Sequence, residues 1–223
     1  MNCPDNHDQD LPSRLLDLEL PNNVIDLRLV EITGESGRYA ALSHCWGAIQ
    51  QYTTRTANLQ ERKECIPFKQ LTKTFKEAVQ VTRALGIRYL WIDSLCIIQD
   101  DQDDWVREAS RMSSVYQNAQ ITIAAAASDS GDKGLFCRSP EYEVQDQSTE
   151  GESCSFIFRA PRSHMDGYSA QQTKLPLAQR SWAFQERFLS PRVLHYTSVE
   201  LCFECNPGNS LRVRLYQTAG DRI

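Results

Sequence analysis

The stretch from Ile87 to Ala127, IRYLWIDSLCIIQDDQDDWVREASRMSSVYQNAQITIAAAA, constrains the fold more than any other. An apolar run from Tyr89 to Ile92 ends at Asp93 and predicts a strand. An acidic loop from Asp100 to Asp104 follows, then helical periodicity from Trp105 to Asn118, then a second apolar strand from Ile121. Strand, helix and strand within about 40 residues make a crossover unit, whose strands are parallel and covered by helices. Ligands of such sheets bind beyond the carboxyl ends of the strands, which places Asp93 and the head of the Trp105 helix where function is expected.

The helix can be read residue by residue. Asp104 is the expected N-cap, and the acidic loop before it suits the positive end of the helix dipole. Trp105, Ala109, Met112, Tyr116 and Ala119 recur at steps of three or four, predicting a core-facing stripe. Glu108 lies beside the edge of that stripe, roughly 60° from Trp105. A carboxylate there would be partly desolvated; the alternative is a solvated Glu108 paired with Arg111 at i+3.

Upstream, Val24 to Leu29 alternates as a half-buried strand, and residues 1 to 13 read as a flexible polar lead-in. RYAALSHCWG, Arg38 to Gly47, predicts a central strand over 39 to 44 that runs into a glycine turn with Ser43, His44, Cys45 and Trp46 at its end. Strand neighbours point to opposite faces, so His44 cannot simply serve Cys45 as a base. Those four residues would equally serve to pack and to hold a turn. Thr74 and Glu77 form a capping-box pattern ahead of a helical stripe over 74 to 85, closed by Gly86. With strands at 88 to 92 and 121 to 127, the alternation predicts a mostly parallel, three-layer α-β-α fold of the α/β class. No GxGxxG and no GxxxxGK[ST] occurs, which excludes the standard phosphate loops.

Residues 139 to 176 are polar and read as an insertion around one short strand, Phe156 to Arg159. Next, Trp182, Gln185, Glu186 and Leu189 share one predicted helical face, where Gln185 and Glu186 would line a site or bond nearby backbone. HYTSVELCFEC then predicts a strand, and 207 to 223 reads as a tail that ends without a domain-closing feature, as in a piece of a longer protein.

Composition enters as a set of exclusions. A hydrophobic fraction of 41% in 223 residues supports one ordinary core, or at most two. The net charge of -5, with no basic block, points away from nucleic acid. No apolar run approaches the roughly 20 residues of a membrane span, and the acidic start lacks the features of a signal peptide, so a cytoplasmic protein without a membrane partner is expected. Eight scattered cysteines suggest reduced thiols. Cys202 and Cys205 form a lone CxxC on a strand pattern, which argues against zinc, and no metal is expected.

Three blocks in order, YAALSHCWG, YLWIDSLCIIQDDQDDWVREASRMSSVYQNAQITIAAAAS and RSWAFQERFLSPRVLHYTSVELCFEC, resemble the fungal heterokaryon incompatibility (HET) domain. The resemblance spans roughly residues 24 to 206 and marks 14 to 206 as one such domain. It implies a fungal cytosolic protein that triggers cell death when incompatible strains fuse. HET domains are in turn similar to Toll/interleukin-1 receptor (TIR) domains, implying a TIR-like (flavodoxin-like) core, here with an extra C-terminal helix and strands. Several TIR domains cleave the nicotinamide–ribose bond of NAD with a glutamate in a Trp-x-x-x-Glu-like stretch.

Here DWVRE carries Trp105 and Glu108, one residue closer than that spacing. By this resemblance Glu108 is the catalytic carboxylate. By their position at the strand ends and the helix head, Trp105 or Trp46 to stack on a ring, and Ser43, His44 and Asp93 to bind hydroxyls, are substrate-binding candidates, and Glu186 is the rival carboxylate. NAD would be substrate, with no cofactor, and a homo-oligomer or a regulatory signalling partner would switch the domain on. The other class of function is a non-enzymatic death-signalling module that oligomerises through its surface. A cysteine hydrolase using Cys45 or Cys96 with His44 or His195 is a third reading, without a recognisable nucleophile context.

Overall fold

The computed structural model describes residues 8–19, 25–47, 52–136, 141–147, 153–159, 175–198, 201–205 and 211–215. In chain order the strands are β1 (Gln9–Asp10), β2 (Arg14–Asp17), β3 (Arg28–Glu31), β4 (Ser36–Gly37) and β5 (Tyr39–Ser43). Helices α1 (Leu59–Glu64) and α2 (Lys73–Ala84) lead to β6 (Tyr89–Trp91), a single helical turn α3 (Asp93–Cys96), α4 (Gln102–Asn118) and β7 (Ile121–Ala124). After them come β8 (Glu141–Gln147), β9 (Ser153–Arg159), α5 (Ser181–Leu189), β10 (Arg192–Tyr196), β11 (Leu201–Cys205) and β12 (Leu211–Leu215).

The molecule is an α/β fold built on an eight-stranded mixed sheet, in the order β12-β11-β10-β7-β5-β6-β2-β3. Its centre, β10-β7-β5-β6, is parallel, as the strand–helix alternation requires. The expectation of a mostly parallel sheet holds only for that centre. Antiparallel β2 and β3 extend one side, and antiparallel β11 and β12 extend the other. Part of the reason is chain length: four residues between β10 and β11 allow a reversal but no crossover. HYTSVELCFEC is therefore two strands rather than one, and β12 lies in the stretch read as a tail. β8 and β9 form a separate hairpin within 139 to 176.

Alternation along the parallel strands distributes the core. Ala40 and Leu42 join Leu90, Ile92, Ile121, Ile123, Leu194 and Tyr196 in the main cluster, together with Phe75, Ala78 and Val79 of α2. On the other side of β5, the Tyr39 hydroxyl donates to the Val115 carbonyl (2.6 Å) and Tyr116 of α4 packs edge-on against Trp91 at 5.7 Å. A smaller apolar cluster of Cys45, Ala124, Leu177, Ala183 and Val193 lies under α5.

Two helix starts differ from the sequence reading. Thr72, not Thr74, caps α2 by accepting from the Phe75 N–H. Thr74 and Glu77 instead tie down the loop after β7, Thr74 Oγ1 accepting from Gly134 N and Glu77 from the Leu135 and Phe136 N–H groups. For α4 the N-cap is Asp101, which accepts from the Asp103 and Asp104 N–H groups at 3.0 Å each. That helix is also rotated: Asp104, Glu108, Val115 and Tyr116 face inward, while Trp105 is 48% exposed.

The cause is Arg14 on β2, a strand absent from the sequence reading. Its guanidinium donates to the Cys96 carbonyl (2.7 Å) and to Asp104, both buried. Burial alone would raise the Asp104 carboxyl, but Arg14, the Ile98 N–H (2.9 Å) and Arg107 hold it below its ordinary range. Desolvating two ionic groups is repaid only by such mutual bonds. Arg14→Met should therefore cost about 3–5 kcal/mol in urea unfolding by stranding Asp104, and the Arg14→Met/Asp104→Leu pair should recover most of that loss.

Candidate active site

The chain enters its parallel core at β5, moves to β6 on one side, then returns past β5 to β7. The direction of winding therefore changes between β5 and β7, and a crevice opens at the carboxyl ends of strands at such a point. Ser43 ends β5 there, with His44, Cys45 and Trp46 following, and Asp93 arrives just after β6.

Strand alternation sends Ser43 toward α5, where its hydroxyl donates to the Glu186 carboxylate across 143 residues of sequence. Glu186 is 5% exposed. Tyr116, whose hydroxyl donates to the Leu42 carbonyl (3.2 Å), also lies beside this carboxyl. His44 points the other way, edge-on to Phe75 at 5.1 Å. Asp93 accepts from the Trp46 indole N–H and from the Ser94 N–H, each at 2.7 Å, and its Oδ1 stands 3.8 Å from His44 Nδ1. Arg180, at the head of α5, donates to the His44 carbonyl. The turn requires glycine at 47: its φ is +76°, and a Cβ would meet the Ser130 Cβ at 2.9 Å.

Burial pushes the Glu186 carboxyl up to about 7; the negative charge of Asp93 adds to this, while Ser43, Arg180 and Tyr116 oppose it. Burial, helped by Arg180 and opposed by Asp93, moves His44 below its ordinary value, so the imidazole is neutral at pH 7. A carboxyl that is half ionised at neutral pH can shuttle a proton or stabilise a cation. Burial raises the Cys45 thiol and pushes Cys96 up to about 12, so neither is a ready thiolate nucleophile.

The structure thus brings together Ser43, His44, Trp46, Asp93 and Glu186. Glu108 and Trp105 share no hydrogen bond or ion pair with this group. Glu108 is buried and accepts from Ser13 Oγ (2.6 Å), with Arg107 Nε at 3.5 Å and Arg111 at 4.0 Å, beside the Arg14–Asp104 pair. It is neither at the edge of the stripe nor solvated, because the rotation of α4 makes it part of the inward face. On α5 the inward residues are Ala183 and Glu186, while Trp182 (60%) and Gln185 are exposed, so the shared face expected for Trp182, Gln185 and Glu186 does not form. Arg180 carries no sequence signal for its bond to His44.

Residues 39–186, more than half of the chain, match the family described as Heterokaryon incompatibility protein (HET). The chain belongs to this family. Membership implies a fungal heterokaryon-incompatibility role related to cell death. The match opens on β5 and closes on Glu186, so the two ends of the HET segment are the strand and the helix that the Ser43–Glu186 bond joins. Among curated proteins and among solved structures no match to this chain is found. Within the described residues no three His, Cys, Asp or Glu side chains are grouped to hold a metal ion, and no helix is long and apolar enough to cross a membrane. Among the described cysteines, Cys45, Cys65 and Cys96 are free thiols, whereas Cys205 is disulfide-bonded, a departure from the fully reduced set expected.

The raised carboxyl has a stability consequence. Between about 4.5 and about 7 the folded HET domain binds a proton at Glu186 that the unfolded chain has released, so stability falls as pH rises through that window. Glu186→Gln should leave urea-unfolding stability unchanged below pH 4 and raise it by up to about 3 kcal/mol above pH 7.

Proposed function

We propose that this HET domain is an NAD glycohydrolase that becomes active on self-association, with Glu186 as its reactive carboxylate. The observation that carries the reading is a buried carboxyl poised near neutrality, held by Ser43 at the crevice where strand order reverses. Architecture supports it as well: we infer a three-layer, TIR-like (flavodoxin-like) core from the parallel centre with α2 on one side of β5 and α4 with α5 on the other.

The chemistry is redox-neutral. The bond between ribose C1′ and the pyridinium nitrogen breaks, its electron pair goes to that nitrogen, and nicotinamide departs uncharged. The ribosyl oxocarbenium ion left behind needs a nearby anion until water adds at C1′ and loses a proton, giving ADP-ribose. Ionised Glu186 supplies that anion. Trp46 and Asp93, already bonded to each other, form a rigid wall at the same edge, with the ring to stack and the carboxylate to accept from ribose hydroxyls. Nicotinamide leaves without acid assistance, so the reaction asks for no metal.

Glu108 is the competing carboxylate and keeps its resemblance to the TIR glutamate, but its neighbours suit a structural ionic network. In assembled protein, Glu186→Gln should lower nicotinamide release by roughly 10²–10³-fold, and Glu108→Gln should leave turnover per folded molecule within a few-fold. Wild-type kcat/KM should rise with pH toward a plateau above about 7, as the carboxylate forms. The reverse mutant pattern would return the role to Glu108.

The second reading, a non-enzymatic signalling module, is favoured by one observation. Phe184 and Phe188 of α5 stack at 5.9 Å while 68% and 65% exposed, alongside the exposed Trp182. Such aromatic patches suit protein association. Cell killing that persists in a folded Glu186→Gln variant would select this reading, and the proposed cytoplasmic setting is common to both.

A further inference from the structure

On the α5 side of the sheet lies a cavity of about 220 Å³. Its floor is the outward row of the parallel strands: Ser43 of β5, Thr122 and Ala124 of β7, and His195 of β10. Ala183 and Arg187 of α5 and Ala178 of the preceding turn form the opposite wall. Sites for drug-sized ligands span roughly 300–1,000 Å³, so this space suits a ring or two rather than a whole dinucleotide.

Its electrostatics narrow the choice. Arg187 is held bidentately by Glu204 (2.8 and 2.9 Å), and His195 Nε2 lies 2.9 Å from the same carboxylate. The charge of the cavity's guanidinium is therefore balanced where it stands, and the remaining lining is alanine, leucine, valine and phenylalanine with the hydroxyls of Ser43 and Thr122. A phosphate would find no unbalanced cation here, and Glu186, the carboxylate behind Ser43, is not part of the lining, so a cationic ring would leave water for an apolar wall. An uncharged aromatic ring with one hydrogen-bonding group fits both conditions. Ser43 is the link to chemistry, since it lines the cavity and also donates to Glu186.

We propose that this cavity receives the leaving ring of the substrate as a neutral aromatic amide, so that its walls favour departing nicotinamide over the pyridinium of intact NAD. The assignment rests on the glycohydrolase reading for the identity of the ring. Bond cleavage neutralises the ring, so a near-neutral apolar cavity binds it more strongly in the transition state than in the ground state. The cavity thus accelerates the step that Glu186 supports from the ribose side.

The test titrates the full chain with nicotinamide, benzamide and the N-methylnicotinamide cation, followed by amide chemical shifts, alongside NAD turnover. Two variants plug the cavity: Ala124→Leu at its floor, and Ala178→Phe on the exposed turn, where folding should be unaffected. The neutral amides should shift resonances at Ala124 and Ala126 and bind at least about tenfold tighter than the cation, a difference of 1.4 kcal/mol. Both plugs should weaken that binding at least about tenfold while circular dichroism is unchanged. Neutral amides that fail to bind, that bind equally well to folded plugged variants, or that bind no better than the cation would each overturn the assignment. Turnover separates the two claims: plug-sensitive amide binding without NAD cleavage would keep the ring site and reject the glycohydrolase, while cleavage unaffected by the plugs would do the opposite.

Discussion

The hydrogen bond from Ser43 to Glu186 is the interaction on which the arrangement of this domain depends. It ties the end of the first parallel strand to a helix 143 residues later, and it does so with a carboxyl almost withdrawn from water. A buried carboxyl without a partner is expensive, so Ser43, Tyr116 and Arg180 collect around it. The same desolvation moves its titration into the neutral range. A group that weakens the fold at pH 8 is retained more readily where it serves chemistry than where it only packs.

Two buried acidic groups lie in this part of the fold, and their surroundings differ in kind. Asp104 and Glu108 face Arg14, Arg107 and Arg111 in a network that locks α4 against β2. Glu186 and Asp93 face hydroxyls, an indole and a neutral imidazole, with Arg180 acting on Glu186 through its charge and hydrogen-bonded instead to the His44 carbonyl. Pairing with arginines fixes a carboxylate in place. Sparse pairing at a crevice leaves one available to a passing substrate. On that physical difference the reactive role moves from Glu108 to Glu186.

Much of the frame was legible in the sequence because its signals are local. Apolar runs marked β5, β6 and β7, and Gly86 after α2 has the positive φ of 66° expected where a helix ends. Ser43, His44, Trp46 and Asp93 could be grouped because all stand at the carboxyl ends of predicted strands. What sequence periodicity missed was set by distant partners. Nothing around Trp105 reveals that Arg14 lies beneath α4 and turns Asp104 and Glu108 inward at the expense of the tryptophan. Likewise, Glu186 sat in a helical pattern whose aromatic residues suggested the opposite face, and only contact with Ser43 and Ala124 of the sheet makes Ala183 and Glu186 the buried pair.

The poise of the Glu186 carboxyl is set by its surroundings. Its most direct test is a ¹³C-detected titration of the glutamate side-chain carboxyl carbons, assigned by comparison with Glu186→Gln. A midpoint near 7, moving higher in Ser43→Ala because the bond that favours the ionised form is gone, is the predicted result. A midpoint in the ordinary range near 4.5, indifferent to Ser43, would contradict it and leave Glu186 a structural residue.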